Sequence, residues 1–438
     1  MKILFIYPGT DPSYPIQLGS LSAYVKRAGH ETRLFAPILK DWRVPGWVVT
    51  DLEREAEAFH PNFVGFCGYE SAMPWIRQFA QAIRCRWPTI RTVLGGYYPS
   101  ARPEAAAAIY GIDFVVRGEG ERPLLALIED PTRLDIPGVW PNPPGPIEMD
   151  LDKLPWPDRF HNQQEIIDAD SGTVKVMAGW GCVYNCTYCQ AKEMRALVST
   201  TKAKDYVRLR SVDSVVNEVL SLGERYRFHR VGFHDDIFWA GDVKWLRRFA
   251  ARWKTEVRKP FYCAARVEMF TPEVFELLRE AGCDLLLIGV ESGDGAFRRK
   301  ILKRHMGDDK ILWAVREARQ RDISVWTFNM VGMLDEGYRS LLSTVALNWW
   351  IGPDFAMCSK WYPLQGTAMG DEAHRRGLVD SFAAARVTGY ARRTVLRYSM
   401  CKRAFLSVMK WANILSAARR LMFWQLAAQR VFKIPGSS

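Results

Sequence analysis

The sequence predicts an α/β protein with two parallel-sheet domains and a helical C-terminal region. Short apolar segments alternate with helical patterns through two long stretches of the 438 residues, and a proline-rich segment separates these stretches. Parallel strands need crossover connections, which are usually helices, so the alternation favours parallel sheets. The predicted ranges are 1–140 for the first domain, 141–170 for a linker, 171–380 for the second domain and 381–438 for the helical region.

The first domain is predicted to be a Rossmann-like parallel sheet. Its strand candidates are 1–7, 63–67, 92–94 and 114–116, and its helix candidates are 18–28, 74–84 and 102–110. In such sheets ligands bind outside the carboxyl ends of the strands. The turns there include Gly95-Gly96-Tyr97 and Arg117-Gly118-Glu119. Glycine lets the backbone approach a flat or bulky ligand, although it is also an ordinary turn residue.

The second domain is predicted to be a partial (β/α)6 barrel. The prolines between 137 and 158 cannot sustain regular structure for long, which marks that segment as interdomain. Beyond it the strand candidates are 173–178, 230–233, 260–264, 285–290, 324–330 and 355–360. Ligand sites in barrels lie at the carboxyl ends of the strands, so we expect functional residues on the loops that follow them.

Cys182, Cys186 and Cys189 form the most specific motif, a C-x3-C-x2-C run on the loop after the first barrel strand. Iron–sulfur clusters are usually held by four cysteines, so three thiolates leave one iron of a four-iron cluster open for catalysis. Zinc and unligated thiols are the alternatives. Zinc prefers four N/S ligands, and the nearest histidines, His161 and His229, are far along the chain. Nine cysteines, an odd number, without a secretory signal argue against a disulfide framework.

The basic charge is concentrated in the last part of the chain. The net charge is +12, and the segment 381–438 contains eleven Lys and Arg residues and no Asp or Glu. Phe405, Val408, Met409, Ala412, Leu415 and Met422 recur there at roughly helical spacing. The segment is either a helical cap with a basic solvated face or an interfacial helix on an anionic membrane. No transmembrane helix and no nucleic-acid partner are expected, and the predicted location is cytoplasmic, with peripheral membrane contact as an option.

Several segments resemble one family, the radical S-adenosylmethionine (SAM) enzymes with an N-terminal cobalamin-binding domain. The C-x3-C-x2-C run is highly specific for the radical SAM superfamily. The resemblance extends over about residues 1–380 and includes the segments 17–24, 28–31, 94–100, 112–121, 151–159, 234–238, 263–266, 288–293 and 362–367. The chain departs from the pattern at Trp180, where Arg is commoner, and at Val183, where Pro is usual.

The resemblance implies three cofactors: a 4Fe-4S cluster on the three cysteines, SAM on its open iron, and cobalamin. Tyr188 would contact the adenine of SAM, Asp235 and Asp236 its amino group, Arg266 its carboxylate and Glu291 its ribose. Ser292, in the same strand-end segment as Glu291, is a further candidate for binding SAM. From the residues alone, the aspartates could equally be helix caps, Arg266 an ordinary ion pair and Glu291 a turn cap. His234 is expected to be a hydrogen-bonded strand-end residue.

No Asp-x-His-x-x-Gly motif is present, so the resemblance predicts that no histidine ligates cobalt. Turn residues would face the cobalamin instead, and the candidates are Tyr69, Glu70, Gly95, Gly96, Tyr97, Gly118 and Glu119.

The activity implied by the resemblance is methylation of an unactivated carbon through a 5′-deoxyadenosyl radical and methylcobalamin. The substrate would be a small molecule, a lipid or a natural-product intermediate, and an external donor of the flavodoxin or ferredoxin type would supply electrons. Three alternatives stay open: non-methylating chemistry with the same cofactors (ring formation, ring contraction or hydroxylation), methylthio transfer, which is disfavoured because no second cysteine triplet exists, and a non-enzymatic cobalamin or iron–sulfur sensor.

Overall fold

The structure is a computed structural model that describes residues 1–12, 14–198, 203–384, 386 and 394–431, with the side chains of 203, 382 and 418–431 outside that description. The first domain is a five-stranded parallel sheet in the order β2-β1-β3-β4-β5. Its strands are β1 (Lys2–Ile6), β2 (Glu31–Phe35), β3 (Phe63–Cys67), β4 (Arg91–Gly95) and β5 (Phe114–Val115). Its helices are α1 (Ile16–Arg27), α2 (Gly46–Phe59), α3 (Met73–Arg86), α4 (Tyr97–Ala101), α5 (Pro103–Ala107) and α6 (Glu121–Glu129).

The predicted Rossmann-like sheet is confirmed, but its elements differ in part from the prediction, and the helices α2, α4 and α6 were not among those predicted. Strand β2 was not predicted, because it lies at the edge of the sheet and only Leu34 of its five residues is buried. The helix predicted over 102–110 is present but shorter: it is α5 (Pro103–Ala107), and α4 ends just before it at Ala101. Arg102 lies between them with an extended φ of −135°, consistent with the restriction that a following proline imposes.

The linker binds both domains. The Asp158 carboxylate accepts hydrogen bonds from Ser22 Oγ at 2.7 Å and Lys26 Nζ at 2.6 Å, both on α1. The next residue, Arg159, is buried and donates to Glu218 Oε1 at 3.0 Å on the barrel side. A short helix, α7 (Gln163–Ala169), lies within the range predicted as linker.

The second domain confirms the predicted partial barrel. Six parallel strands lie in the order β13-β12-β11-β10-β9-β6, and β7 (Gly179–Trp180) pairs antiparallel with β8 (Arg208–Leu209) outside this sheet. The six strands are β6 (Thr173–Val176), β9 (Arg230–Phe233), β10 (Phe261–Ala265), β11 (Cys283–Glu291), β12 (Ser324–Val331) and β13 (Phe355–Lys360). The helices are α8 (Ala191–Ala196), α9 (Val212–Arg225), α10 (Val243–Arg252), α11 (Pro272–Glu280), α12 (Gly295–Lys300), α13 (Asp308–Gln320), α14 (Tyr338–Ile351) and α15 (Ala368–Arg375).

The largest hydrophobic core lies between the barrel sheet and its helices, and aromatic rings fill its centre. The Phe233 ring centroid lies 4.4 Å from that of Phe238, 5.4 Å from that of Phe261 and 5.5 Å from that of Trp253. Such pairs add to the free energy gained by burying their area. The core therefore fixes β9 and β10, whose carboxyl ends carry predicted site residues.

The C-terminal region contains α16 (Ser381–Ala384) and α17 (Met400–Val431), which confirms its helical character. Among the described residues no helix is both long and apolar enough to span a bilayer. The apolar spacing does not form one buried face. Met409 is buried, but Val408 and Leu415 are 58% and 63% exposed, and the Met422 side chain lies outside the described residues.

A buried polar network docks α17 against the barrel. Asn348 Nδ2 on α14 lies 3.0 Å from Asn413 Oδ1 on α17 and 3.0 Å from Asn329 Oδ1 on β12. Thr327 Oγ1 donates to Asn348 Oδ1 at 2.8 Å. None of these four side chains is more than 2% exposed. Asn348 therefore connects a strand and two helices through hydrogen bonds that water cannot replace.

We predict that Asn348→Leu lowers the free energy of unfolding by about 1–3 kcal/mol, because it leaves buried groups on Thr327, Asn329 and Asn413 without their partner. Urea unfolding measures the change. Leu342→Ala on the exposed side of the same helix is the matched control and should change stability by less than about 0.5 kcal/mol. Equal effects of the two substitutions would contradict a stabilising role for the network.

Candidate functional site

A cavity of about 530 Å³ lies between the carboxyl ends of the two sheets. The first domain contributes the turns after β1, β3 and β4, the linker contributes Leu154 and Pro155, and the barrel contributes the loops after β6 and β9. Both sheets are parallel, so the strand-end turns of each sheet lie along one edge, and several turns from each sheet line this cavity. The cavity is therefore where ligands of the two domains can come together.

Most of the residues predicted to face cobalamin line this cavity: Tyr69, Gly95, Gly96, Tyr97, Gly118 and Glu119. Gly96 has φ +107°, and a Cβ there would lie 2.7 Å from the Gly68 carbonyl oxygen, so only glycine fits. The Tyr69 hydroxyl lies 3.5 Å from the Pro8 carbonyl oxygen, and its ring centroid is 6.2 Å from that of Tyr7. Glycines and aromatic rings together provide a cradle suited to a large flat ligand such as cobalamin.

Glu70 is placed differently from the other cobalamin candidates. Its carboxylate accepts hydrogen bonds from Gln365 N at 2.8 Å and from Gln365 Nε2 at 3.1 Å. Burial raises the pKa of this carboxyl group, and the bonds from Gln365 oppose the shift. Its described bonds join the first domain to the loop after β13.

An ion pair at the cavity wall also joins the domains. Arg208 on β8 donates to Glu119 Oε1 at 2.5 Å and to the Glu148 carbonyl oxygen at 2.6 Å. Glu121 is buried nearby, and burial raises its pKa from 4.5 to about 7 although Ser20 Oγ donates to it at 2.9 Å. Arg208 was not predicted, because nothing in its local sequence distinguishes it from a solvated strand residue.

The three motif cysteines lie on the loop between β7 and α8. Cys186 is buried, and its Sγ is 3.2 Å from Arg266 Nη1 and 3.8 Å from Arg304 Nη1. Burial raises the pKa of Cys189 to about 12 and also raises that of Cys182. A metal or cluster that binds here must displace the thiol protons, and the guanidiniums favour the resulting negative charge. The donor set fits an iron–sulfur cluster of three cysteine ligands.

Within the described ranges, no three His, Cys, Asp or Glu side chains gather closely enough to hold a single metal ion.

The predicted SAM residues on β10 and β11 converge on the same loop. Arg266 forms an ion pair with Glu268 at 2.5 Å, and its guanidinium lies 3.5 Å from the Tyr184 ring centroid. Tyr188 hydrogen-bonds Glu291, and Arg304 Nη1 is 3.2 Å from the Tyr188 hydroxyl. Arg304 also donates to the Gly289 carbonyl oxygen and pairs with Glu291 at 3.9 Å.

Arg304 was missed by sequence reasoning. It follows three basic residues of α12 and Lys303, a pattern that usually marks a solvated surface, yet the structure buries it beside Cys186, Tyr188 and Glu291. Its fixed positive charge is suited to a carboxylate or a hydroxyl-rich ligand. We therefore add Arg304 to the candidate site.

The residues that follow β9, His234, Asp235 and Asp236, make different contacts. Asp235 is buried, and its carboxylate accepts from the backbone N–H groups of Ala178, at 3.2 Å, and of Gly179. Asp236 lines the cavity and accepts a backbone hydrogen bond from Gly181. His234 Nε2 lies 3.0 Å from the Tyr262 hydroxyl, which confirms it as a hydrogen-bonded strand-end residue. Asp235 thus positions the start of the cysteine loop, while Asp236 is available to a ligand in the cavity.

Ser292 is fully buried beneath the site. Its hydroxyl is 3.3 Å from Ser340 Oγ on α14 and accepts from the Asp294 N–H at 3.3 Å. Glu291, which precedes it, has φ +69°, a left-handed conformation that is unusual for glutamate and fixes the turn at the end of β11. These contacts connect Ser292 to the helical layer.

Two family models match the chain. A model described as the B12 binding domain matches residues 7–128, and a model described as the Radical SAM superfamily matches residues 179–347. Together they cover more than half of the chain, and the cavity lies between the two matched regions.

Two curated relatives are methyltransferases by name. An uncharacterized methyltransferase of Pyrococcus horikoshii is 23% identical over 403 residues, covering 86% of this chain and 84% of the relative. The hopanoid C-3 methylase of Methylococcus capsulatus is 25% identical over 305 residues, covering 66% of this chain and 56% of that protein.

Solved structures share the fold. The radical SAM methyltransferase TsrM from Kitasatospora setae, with cobalamin and a [4Fe-4S] cluster bound, superposes with a TM-score of 0.70 at 20% identity, covering 86% of this chain and 78% of TsrM. The cobalamin-dependent SAM radical enzyme OxsB superposes with a TM-score of 0.65 at 16% identity, covering 79% of this chain and 51% of OxsB.

The buried Glu121 predicts a pH-dependent stability of the cofactor-free protein. The pKa of Glu121 is raised from 4.5 to about 7 on folding, so its carboxyl group contributes its full stabilisation of the folded state only below pH 4.5. This stabilisation is lost as the pH rises through 7. Glu121→Gln should therefore gain stability relative to the native chain between pH 5 and pH 8, by up to roughly 3 kcal/mol. Urea unfolding at the two pH values measures the gain, and Glu129→Gln at the end of α6 serves as control. A pH-independent difference would contradict the assigned titration.

Proposed function

The chain belongs to the radical SAM enzymes that carry an N-terminal B12-binding domain, and on this premise we propose that it methylates an unactivated carbon of a small-molecule, lipid or natural-product substrate. Its cofactors are a 4Fe-4S cluster, SAM and cobalamin. The cavity between the two domains carries the proposal, because a methyl donor on one wall and a hydrogen-abstracting group on the other can then reach the same carbon.

When bound, these cofactors supply the radical that removes a hydrogen from the substrate and the methyl group that replaces it. The protein's part is to hold and orient. Cys182, Cys186 and Cys189 would hold the cluster, and Arg266 and Arg304 place positive charge at Cys186. The other candidates for SAM are Tyr188, Glu291 and Asp236, whose positions around the loop suit the adenine, the ribose hydroxyls and the amino group.

The cavity wall is suited to exclude water from reactive species. Trp180 and Tyr206 from the barrel side and Tyr97 from the first domain line it, together with Met194 and Leu364. Burial raises the pKa of Tyr206 to about 12, so its phenol stays protonated and can donate a hydrogen bond without supplying charge. A largely apolar, aromatic wall suits a largely apolar substrate.

Two further parts of the proposal concern partners. We propose that a one-electron donor of the flavodoxin or ferredoxin type approaches the cysteine loop, where Val183 is 38% exposed beside Cys182. We also propose that the basic C-terminal region brings the protein to an anionic membrane surface, since eleven Lys and Arg residues occur there without an acidic residue.

Cofactor content tests the cluster assignment. Cys186→Ala, after anaerobic reconstitution, should lose most of the bound iron and the 5′-deoxyadenosine produced from SAM, because two cysteines cannot retain the cluster. Cys85→Ala, at an exposed cysteine of α3, should retain both. Iron retained at the native level by Cys186→Ala would contradict the assigned ligands.

The reaction itself is tested with SAM that carries a deuterated methyl group. Incubated with a reductant and a panel of apolar substrates, the holoenzyme should transfer that methyl group to a carbon and release S-adenosylhomocysteine together with 5′-deoxyadenosine. Cobalamin content is measured on the same preparation. 5′-Deoxyadenosine formed with a modified product but without S-adenosylhomocysteine would replace methyl transfer with another radical reaction, and iron without cobalamin would refute the proposal.

A further inference from the structure

Helices α14 and α17 lie side by side on the outside of the barrel. The ring centroids of Tyr338 and Phe405, near the start of each helix, are 4.9 Å apart. Further along, Asn348 Nδ2 lies 3.0 Å from Asn413 Oδ1. Residue numbers therefore rise together along both helices, which makes them parallel neighbours with one side toward the sheet and the other toward solvent.

The solvent side of this pair is apolar. Six large apolar side chains are about half exposed or more, and we call them the α14/α17 face: Leu342 (53%), Trp349 (49%), Trp350 (50%), Val408 (58%), Trp411 (61%) and Leu415 (63%). Leu342 and Trp349 are seven residues apart, as are Val408 and Leu415. Seven residues make about two helical turns, so each pair lies on one side of its helix. Scattered exposed apolar residues need no explanation, but a contiguous patch on two packed helices indicates an interaction surface.

The charge of the segment that contains α17 favours an anionic partner for this face. Segment 381–438, which includes all of α17, carries eleven Lys and Arg residues and no Asp or Glu. A second copy of the chain would place one basic segment against another, and like charges at an interface cost several kcal/mol. An anionic bilayer offers the opposite charge to the basic residues and an interfacial layer in which tryptophan is enriched.

We propose that the α14/α17 face is the surface by which the barrel docks on an anionic lipid bilayer. The helices lie in the interface, with tryptophans among the headgroups and basic side chains on the phosphates. This inference rests on the proposed membrane contact of the C-terminal region and deepens it, because it adds α14 of the catalytic barrel to the contact. It is independent of the methyl-transfer chemistry.

The test is co-sedimentation of the full-length holoenzyme with vesicles of phosphatidylcholine alone or of equal parts phosphatidylcholine and phosphatidylglycerol. We expect binding to the anionic vesicles that weakens with added salt. The double variant Trp349→Ser with Trp411→Ser should bind them at least about tenfold more weakly, because it removes one aromatic anchor from each helix. Trp47→Ser, at a 64% exposed tryptophan on α2 of the first domain, is the matched control and should bind like the native protein.

Iron content, cobalamin content and 5′-deoxyadenosine formation without vesicles show whether each variant is folded, and they also report separately on the proposed function. The proposal is overturned if the native protein does not bind anionic vesicles, or if the double variant binds as tightly as Trp47→Ser. It is also overturned if light scattering shows a native dimer that the double variant converts to a monomer, because the face would then belong to self-association. A single-tryptophan variant, Trp411→Ser, provides the same readout if the double variant fails to fold.

Discussion

The site depends on one geometric constraint: two parallel sheets must present their carboxyl ends to each other. Among the described residues no strand of one sheet pairs with a strand of the other, so side chains hold the arrangement. The polar contacts that join turns of the first domain to the barrel domain include Glu119–Arg208, Glu70–Gln365, Arg102–Gln365 and Arg102–Asp371. Because the first of these includes a nearly buried guanidinium, loss of one partner leaves a costly unpaired charge. Glu119 and Arg208, which line the cavity, thus also fix the separation of its walls.

Within the barrel, hydrogen bonds to Asp235 hold the start of the cysteine loop against the sheet. This carboxylate receives two backbone N–H groups at the end of β6, and burial still raises its pKa to about 7. Burying a carboxyl group costs free energy unless the group is hydrogen-bonded, so the chain after β6 is favoured where both N–H groups reach Asp235. After these residues, Gly181 with a φ of +95° turns the chain toward Cys182. These backbone contacts therefore help to position the start of the cysteine loop.

The sequence was informative where function depends on local pattern and uninformative where it depends on contacts between distant segments. Apolar runs predicted all six barrel strands, and the strand-like stretch before the cysteine motif predicted that the motif lies on a loop. Strand β2 was missed because its charged residues face solvent at an edge. Arg304 and Gln365 were missed because their importance comes from partners about 115 and 295 positions away. The same limit applies to Glu70, because the sequence of its own turn does not show that Gln365 is its hydrogen-bond partner.

Helix α17 shows why amphipathic spacing could not predict which face is buried. Its buried side includes Asn413 and Ser416, and the exposed side includes Trp411 and Leu415. Asparagine is tolerated inside because β12 and α14 supply amide and hydroxyl partners, which offset the cost of its desolvation. The buried side combines these polar groups with the apolar Leu406, Met409 and Ala417, while other apolar residues stay outside, where water solvates them poorly. The packing that attaches α17 to the barrel is thus the same packing that leaves the apolar α14/α17 face exposed.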